Sequence, residues 1–107
     1  MSFVFTNNAR SFLMEPIDAL VTELTVNPDD GVDFPEPGYG EQFTITLQHP
    51  ETGEREIMYV TERLYGNIFT VERGQEGTIA QEFPVNTPVA HNVTAGVLEF
   101  LRDLNGP

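Results

Sequence analysis

The chain contains no cysteine and no lysine. Without cysteine there is no disulfide, no thiolate nucleophile and no zinc–thiolate site, so the fold must be held together by packing alone. Five arginines stand against seventeen aspartates and glutamates, which gives a formal net charge of −12 at pH 7. Because binding to nucleic acid or to an anionic membrane depends on Lys and Arg, we expect neither as a partner.

Long hydrophobic runs are also missing. No apolar run approaches the roughly 20 residues that cross a bilayer, and the start Met-Ser-Phe-Val-Phe lacks the basic flank of a signal peptide. We therefore expect a soluble protein made in the cytoplasm. A length of 107 residues suits a single domain, and eight prolines with nine glycines imply many turns, which favours a small β-rich fold.

The stretch from Glu56 to Thr78 carries the clearest structural pattern. Two runs rich in β-branched and aromatic residues, Ile57–Thr61 and Ile68–Val71, flank Tyr65-Gly66-Asn67, and this arrangement predicts an antiparallel hairpin. The loop that follows, Arg73-Gly74-Gln75-Glu76-Gly77-Thr78, has two glycines three positions apart. These glycines permit positive φ angles, so we predict a tightly shaped loop.

A strict alternation precedes the hairpin. In residues 42–48, Phe43, Ile45 and Leu47 are predicted to face the core, whereas the polar residues between them face solvent. Strands from Gln42 to Glu72 then form a three-stranded meander. The polar positions assigned to the solvent face are Gln42, Thr44, Thr46 and Gln48.

Five further segments complete the predicted order. Leu20–Val26 reads as a strand with Leu20, Thr22, Leu24 and Val26 on one face, and Val89–Val93 reads as the last strand. Residues 29–40 form an acidic surface loop in which Phe34 and Tyr39 are the large anchors. Ala9–Met14, after the N-cap candidates Asn7 and Asn8, predicts a short helical turn. A C-terminal helix carries the apolar stripe Val97, Leu98, Leu101 and Leu104.

The predicted fold is therefore mainly β: a small antiparallel β-sandwich or barrel built on the meander, with a short N-terminal helical turn and a C-terminal helix. Residues 1–107 form a single domain, with an N-terminal arm or lid at 1–19, the β-domain at 20–93 and the helix at 94–105. The arm either packs on the core or docks on a neighbouring subunit, and the C-terminal helix has the same two interpretations.

Enzymatic patterns are weak, and we predict no catalytic residue, cofactor or metal site. Ser2 and Ser11 lack a nucleophile-elbow pattern, and His49 and His91 are expected to be solvated or capping groups. The acidic run around Gly31 faintly resembles a calcium loop, but its spacing does not match the EF-hand pattern, so an ordinary acidic turn is preferred. The aspartates of that run are Asp29, Asp30 and Asp33.

The same central stretch resembles a protein family. The strings Glu56-Ile57, Val60-Thr61, Gly66-Asn67 and Phe69-Thr70-Val71, together with Arg-Gly-Gln-Glu-Gly-Thr at 73–78, are similar to a small module of tailed-bacteriophage virion proteins. That module occurs in tail-fibre, tail-tip and other appendage proteins, often at the end that attaches to the virion. The likeness extends to Asn7-Asn8-Ala9, Leu24-Thr25-Val26 and Val93-Thr94-Ala95-Gly96, and so covers nearly the whole chain.

The resemblance implies a non-enzymatic structural protein located in the virion. Its expected partners are other virion proteins, such as tail, portal-region or capsid subunits, and it is expected to form a homo-oligomer, with a trimer as the first expectation. A tail-associated adaptor or fibre-attachment subunit is preferred; a capsid decoration protein and a receptor- or carbohydrate-binding module are the alternatives. The candidate interface residues are Phe34, Tyr39, Tyr65, Arg73, Gln75 and Phe83.

Overall fold

The computed structural model describes residues 2–5 and 9–91. In these residues, strands dominate and a single turn of helix, α1, precedes the central meander. The elements are β1 (Ser2–Phe3), β2 (Ala9–Phe12), β3 (Glu23–Thr25), α1 (Pro28–Gly31), β4 (Glu41–Gln48), β5 (Arg55–Leu64), β6 (Ile68–Gln75) and β7 (Pro88–His91).

The strands form one curled antiparallel sheet in the order β2-β7-β4-β5-β6-β3, and β1 pairs parallel with β4 outside this path. The sheet curls so far that its two edge strands meet. Leu13, just after β2, forms an antiparallel bridge with Val26, just after β3, and the Met14 amide donates to the Thr25 carbonyl at 2.9 Å. This contact gives the domain a barrel-like form, which protects the sheet edges.

The predicted meander is confirmed. β4 pairs with β5 at Phe43–Val60, and β5 pairs with β6 at Val60–Val71. The turn between β5 and β6 contains Tyr65 and Gly66, with φ angles of 52° and 84°. Glycine adopts such positive φ angles without a steric penalty, which explains why Gly66 can close this hairpin.

The core lies on the concave face of the curled sheet. Phe43, Ile45 and Leu47 are fully buried, as the alternation predicts. Phe34 and Phe69 complete an aromatic cluster with Phe43, in which Phe69 meets both neighbours edge-on at centroid distances of 5.1 and 5.6 Å. Such pairs stabilise a core by about 0.5–1.5 kcal/mol each beyond the burial of area.

The predicted solvent face of β4 is wrong at its first half. Gln42 and Thr44 are only 3% and 1% exposed, whereas Gln48 is exposed. The N-terminal strand explains part of the difference, because β1 pairs with the beginning of β4 and Phe3 packs edge-on against the Tyr59 ring opposite Thr44, at a centroid distance of 5.3 Å. The sequence pattern of β4 alone does not reveal this added strand.

The predicted N-terminal helical turn is also wrong. Residues Ala9–Phe12 form β2, which pairs antiparallel with β7 from Ala9–His91 to Phe12–Pro88. A short apolar segment is ambiguous between helix and strand, and pairing with β7 decides the outcome here. The N-cap candidates Asn7 and Asn8 lie outside the described residues.

The strand predicted for Leu20–Val26 is shorter in the structure. It begins at Glu23, and Leu24 and Val26 are buried as expected, but Leu20 is 85% exposed. The Asp18 carboxylate accepts hydrogen bonds from the amides of Leu20 and Val21 at 2.8 and 3.0 Å. An Asp side chain that binds nearby amides favours a turn, which delays the start of the strand.

The acidic loop contains the short helix α1. Asn27 caps this helix by accepting from the Asp29 amide at 2.9 Å, and Pro28 occupies its first position. Of the two predicted anchors, Phe34 is buried but Tyr39 is fully exposed. Residues 92–107, which include the end of the predicted last strand and the predicted C-terminal helix, lie outside the described residues. Among the described residues, no helix is long and apolar enough to span a bilayer.

Candidate functional site

The glycine loop at 73–78 is organised around a buried ion pair. Arg73 and Glu56 face each other from neighbouring strands β6 and β5, with Nε–Oε2 and Nη2–Oε1 distances of 2.8 and 3.0 Å. Their side chains are 8% and 0% exposed. This two-bonded geometry matches the planar guanidinium to the planar carboxylate and makes the contact both strong and directional.

Arg73 uses all five of its N–H donors within the chain. Besides the two bonds to Glu56, Nη1 donates to the carbonyls of Asp18 and Val21 at 2.7 and 2.8 Å, and Nη2 donates to the Gln81 carbonyl at 2.8 Å. The guanidinium therefore joins the segment before β3 to the segment after the glycine loop. With every donor occupied, Arg73 has no capacity left for a ligand in this arrangement.

Glu56 is equally saturated. Its two oxygens also accept from the backbone amides of Gly74 and Gln81, at 2.9 and 3.0 Å. Together with the guanidinium bonds, these amides compensate the carboxylate for its loss of water. The Arg73–Glu56 pair is thus a structural joint that aligns two strands and two loops.

The remaining residues of the loop also contact the chain itself. Gly74 and Gly77 have φ angles of 59° and 84°, and Glu76 shares this left-handed region at 55°. The Thr78 hydroxyl donates to the Gln75 carbonyl at 2.7 Å and accepts from the Ile57 amide at 3.0 Å. The predicted shaped loop is therefore confirmed, and its glycines serve the backbone conformation.

Glu76 links the loop to the outer face of β5. The Tyr59 hydroxyl donates to Glu76 Oε2 at 2.9 Å. Burial raises the pKa of Tyr59 to about 12, and the hydrogen bond to Glu76 and the negative charges of Glu76 and Glu72 act in the same direction. The phenol therefore stays protonated through the physiological range and acts as a hydrogen-bond donor.

The two histidines have different structural roles. His49 Nδ1 accepts from the amides of Glu51 and Thr52 at 3.1 and 3.3 Å, so it caps its turn as expected. His91 is 2% exposed, with its ring 5.4 Å from Phe43, so the expectation of a solvated or capping group is wrong for it. Its Nδ1 lies 2.7 Å from the Thr44 carbonyl; because a carbonyl only accepts, Nδ1 carries the donated proton.

The structure separates the candidate interface residues into three groups. Phe34 and Phe83 are 2% and 1% exposed and belong to the core, so in this fold they offer no contact surface. Arg73 and Gln75 lie in the loop just described; Gln75 is half-buried and its side-chain amide donates to the Arg73 carbonyl at 3.1 Å. The exposed candidates are Tyr39 and Tyr65.

The acidic run around α1 is held by one hydrogen bond from β2 and by a contact within its own turn. Asp30 Oδ2 accepts from the Ser11 hydroxyl at 3.0 Å, and the Asp33 amide donates to the Asp30 carbonyl at 2.9 Å. Within residues 2–5 and 9–91, no three His, Asp or Glu side chains come together in a group able to hold a metal ion. A half-open pocket at the opposite end of the sheet is lined by Pro16, Ile17, His49, Glu82, Phe83 and Pro84.

Sequence reasoning missed the role of Glu56. A signal was present, because residues 56, 58 and 60 of β5 share one face by alternation, and Met58 and Val60 are core residues. A glutamate on that face requires a buried cation, and Arg73 follows on the neighbouring strand.

Neither the protein-family models nor the curated proteins compared with this sequence give a match.

Replacing Arg73 by alanine should lower the free energy of unfolding by about 3–5 kcal/mol, because it leaves the Glu56 carboxylate buried without its cation. Urea denaturation measures this loss. The matched control is Arg55→Gln, at an exposed arginine of β5, which should change stability by less than about 0.5 kcal/mol.

The double variant Arg73→Met/Glu56→Leu should also remain destabilised. Removing both charges relieves the unpaired carboxylate, but five backbone groups, at Asp18, Val21, Gly74 and twice at Gln81, lose their partners. Recovery to wild-type stability would show that the pair does not hold these loops.

The high pKa of Tyr59 should be visible in an alkaline titration followed by the absorbance of phenolate. The last component to ionise should have a pKa of about 12 and should be missing from Tyr59→Phe. Because the folded pKa lies above the ordinary value of about 10, stability should fall between pH 10 and 12. Glu76→Gln should bring this component to a lower pH, and an unchanged titration in that variant would contradict the assigned contact.

Burial of His91 should make stability depend on pH below neutrality. Burial lowers its pKa from the ordinary value of 6.5, while the bond to Thr44 opposes that shift. Unfolded chains then bind more protons than folded ones, so the contribution of His91 is complete above pH 6.5 and declines as the pH falls below it. Melting temperatures of the wild type and His91→Gln should therefore be measured from pH 7.5 to 5. The melting temperature of the wild type should fall more steeply with decreasing pH.

Proposed function

We propose that this chain is a non-enzymatic structural protein of a tailed-bacteriophage virion, acting as a tail-associated adaptor or fibre-attachment subunit. The resemblance of residues 56–78 to the attachment-end module of phage appendage proteins motivates the phage assignment. Docking to other virion subunits through protein–protein contacts is the activity proposed. The proposed subunit forms a homo-oligomer, with three copies as the proposed number.

One observation carries the proposal. The polar groups of the motif that resembles the phage module bond to their own chain, whereas several large apolar side chains are exposed to solvent. Arg73 has all five donors bound to its own chain, and Glu56 is fully buried. Leu20, Tyr39, Tyr65 and Ile79 are 85%, 108%, 91% and 79% exposed. The motif shapes a rigid scaffold, and aromatic and aliphatic side chains are exposed at the ends of that scaffold. This combination suits a docking protein, since exposed aromatic and aliphatic side chains anchor interfaces.

The charge of the chain supports the same role. A net charge of −12 keeps copies apart by mutual repulsion before assembly. Curling of the sheet brings its edges together at the Leu13–Val26 bridge, which limits unwanted strand pairing. Both properties suit a subunit that must remain soluble until it reaches its place in a particle.

The proposal predicts that purified particles of the phage encoding this chain contain it in the tail. Mass spectrometry of separated tails and heads should find it with the tails, in a dozen or so copies per particle. Hundreds of copies on the head would instead establish the alternative, a capsid decoration protein. Absence from both fractions, with other minor tail proteins detected as the positive control, would refute a virion role.

A further inference from the structure

At one end of the sheet, two loops pack around a second buried arginine. Arg63 Nη1 donates to the carbonyls of Gly31 and Gly66 at 3.0 and 3.1 Å, and Nη2 pairs with Glu36 at 3.4 Å. The Arg63 side chain is only 10% exposed. The acidic loop and the β5–β6 turn are therefore fixed relative to each other by one guanidinium.

Close packing adds to this rigidity. A Cβ atom at Gly31 would overlap the Gly66 carbonyl oxygen, so α1 lies directly against the hairpin turn. Asn67 joins the same region to the end of β3: its amide nitrogen Nδ2 donates to the Val26 carbonyl at 3.1 Å, and its own carbonyl accepts from the Val26 amide at 3.0 Å. The loops at this end are thus held as one unit.

Each of these fixed segments presents a large exposed apolar side chain. Val32 follows Gly31 and is 69% exposed, and Tyr65 precedes Gly66 and is 91% exposed. Tyr39, at 108%, lies just before β4, which begins at the end of the sheet where β5 finishes, as the Phe43–Val60 register shows. We call Val32, Tyr39 and Tyr65 the hairpin-end surface.

The segment of the hairpin-end surface that carries Val32 and Tyr39 forms an acidic rim. Residues 27–41 contain five carboxylates and no basic residue. Arg63, which contacts this segment, is buried and engaged by Gly31, Gly66 and Glu36, so it presents little positive charge to solvent. The carboxylates of this segment belong to Asp29, Asp30, Asp33, Glu36 and Glu41.

We propose that the hairpin-end surface docks on a different protein whose contact face is positively charged. Two tyrosines on rigid loops provide contact area at a low entropic cost, and the acidic rim selects a partner rich in Arg and Lys. The same surface of a second copy does not fit, because the two acidic rims would then face each other. This inference rests on the proposed docking function and identifies the surface and the partner chemistry.

Photo-crosslinking tests the surface directly. p-Benzoylphenylalanine is placed in the full chain at Tyr39 or Tyr65, and, as matched controls, at the exposed Gln48 or Glu51 by the turn between β4 and β5. Infected cells and purified particles are irradiated, and crosslinked peptides are sequenced. We expect positions 39 and 65 to crosslink to peptides of another protein with a net positive charge, at least about tenfold more than the control positions.

The results separate this inference from the proposed function. Such crosslinks in cells, with this chain itself absent from the particle, would support the surface and refute the virion role. Three outcomes would overturn the inference: crosslinks to a second copy of this chain, crosslinks to an acidic peptide, or crosslinks from the control positions alone. If the protein is still found in the particle, the proposed function stands in these cases. The absence of crosslinks from positions 39 and 65 in both samples would also overturn it.

Charge variants test the rim. Asp29→Asn/Asp33→Asn should reduce the crosslinking yield from Tyr39 several-fold, and raising the salt to about 0.5 M should reduce the wild-type yield towards that of the variant. Glu51→Gln/Glu54→Gln removes two exposed charges from the turn between β4 and β5 and is the matched control. Thermal melts verify that both variants fold. Equal yields from folded variants would exclude the rim as a determinant of docking.

Discussion

The fold depends most on the contact between Arg73 and Glu56. The Arg73 guanidinium and the Glu56 carboxylate, with their hydrogen-bonding capacity filled, join four segments. These are β5, β6, the segment before β3 and the segment after the glycine loop. Because a buried charge is tolerated only with its partners in place, this contact requires a single arrangement of those four segments. The Arg-Gly-Gln-Glu-Gly-Thr string is thereby explained by the architecture, independently of any ligand.

A second arginine has a related role at the other end of the sheet. Arg63 binds the carbonyls of Gly31 and Gly66 and the carboxylate of Glu36, so it holds the acidic loop against the hairpin. Its environment is less complete, since Nε is buried without a hydrogen-bond partner among the described residues. At each end of the sheet, therefore, one arginine fixes the neighbouring loops. Exposed apolar side chains lie near each of these arginines.

A functional picture follows from this division between inside and outside. Arg73 and Glu56 are turned inward, whereas the exposed Tyr39 and Tyr65 lie on loops that Arg63 holds together. Rigid loops lose little entropy when a partner binds, which favours specific docking. In the proposed docking role, the acidic rim would select a partner with a basic surface and disfavour contact with the same surface of a second copy.

Local sequence determined the hairpin, the glycine loop and the inward face of β4, because positive φ angles at Gly66, Gly74 and Gly77 and a period of two are properties of neighbouring residues. Tertiary structure alone decided the rest. Ala9–Phe12 became a strand because β7 offered it a partner, and Gln42 and Thr44 were buried although their pattern is that of a solvent face. The role of Arg73 depends on carbonyls at Asp18, Val21 and Gln81, and contacts between residues so distant in sequence exist only once the sheet has curled.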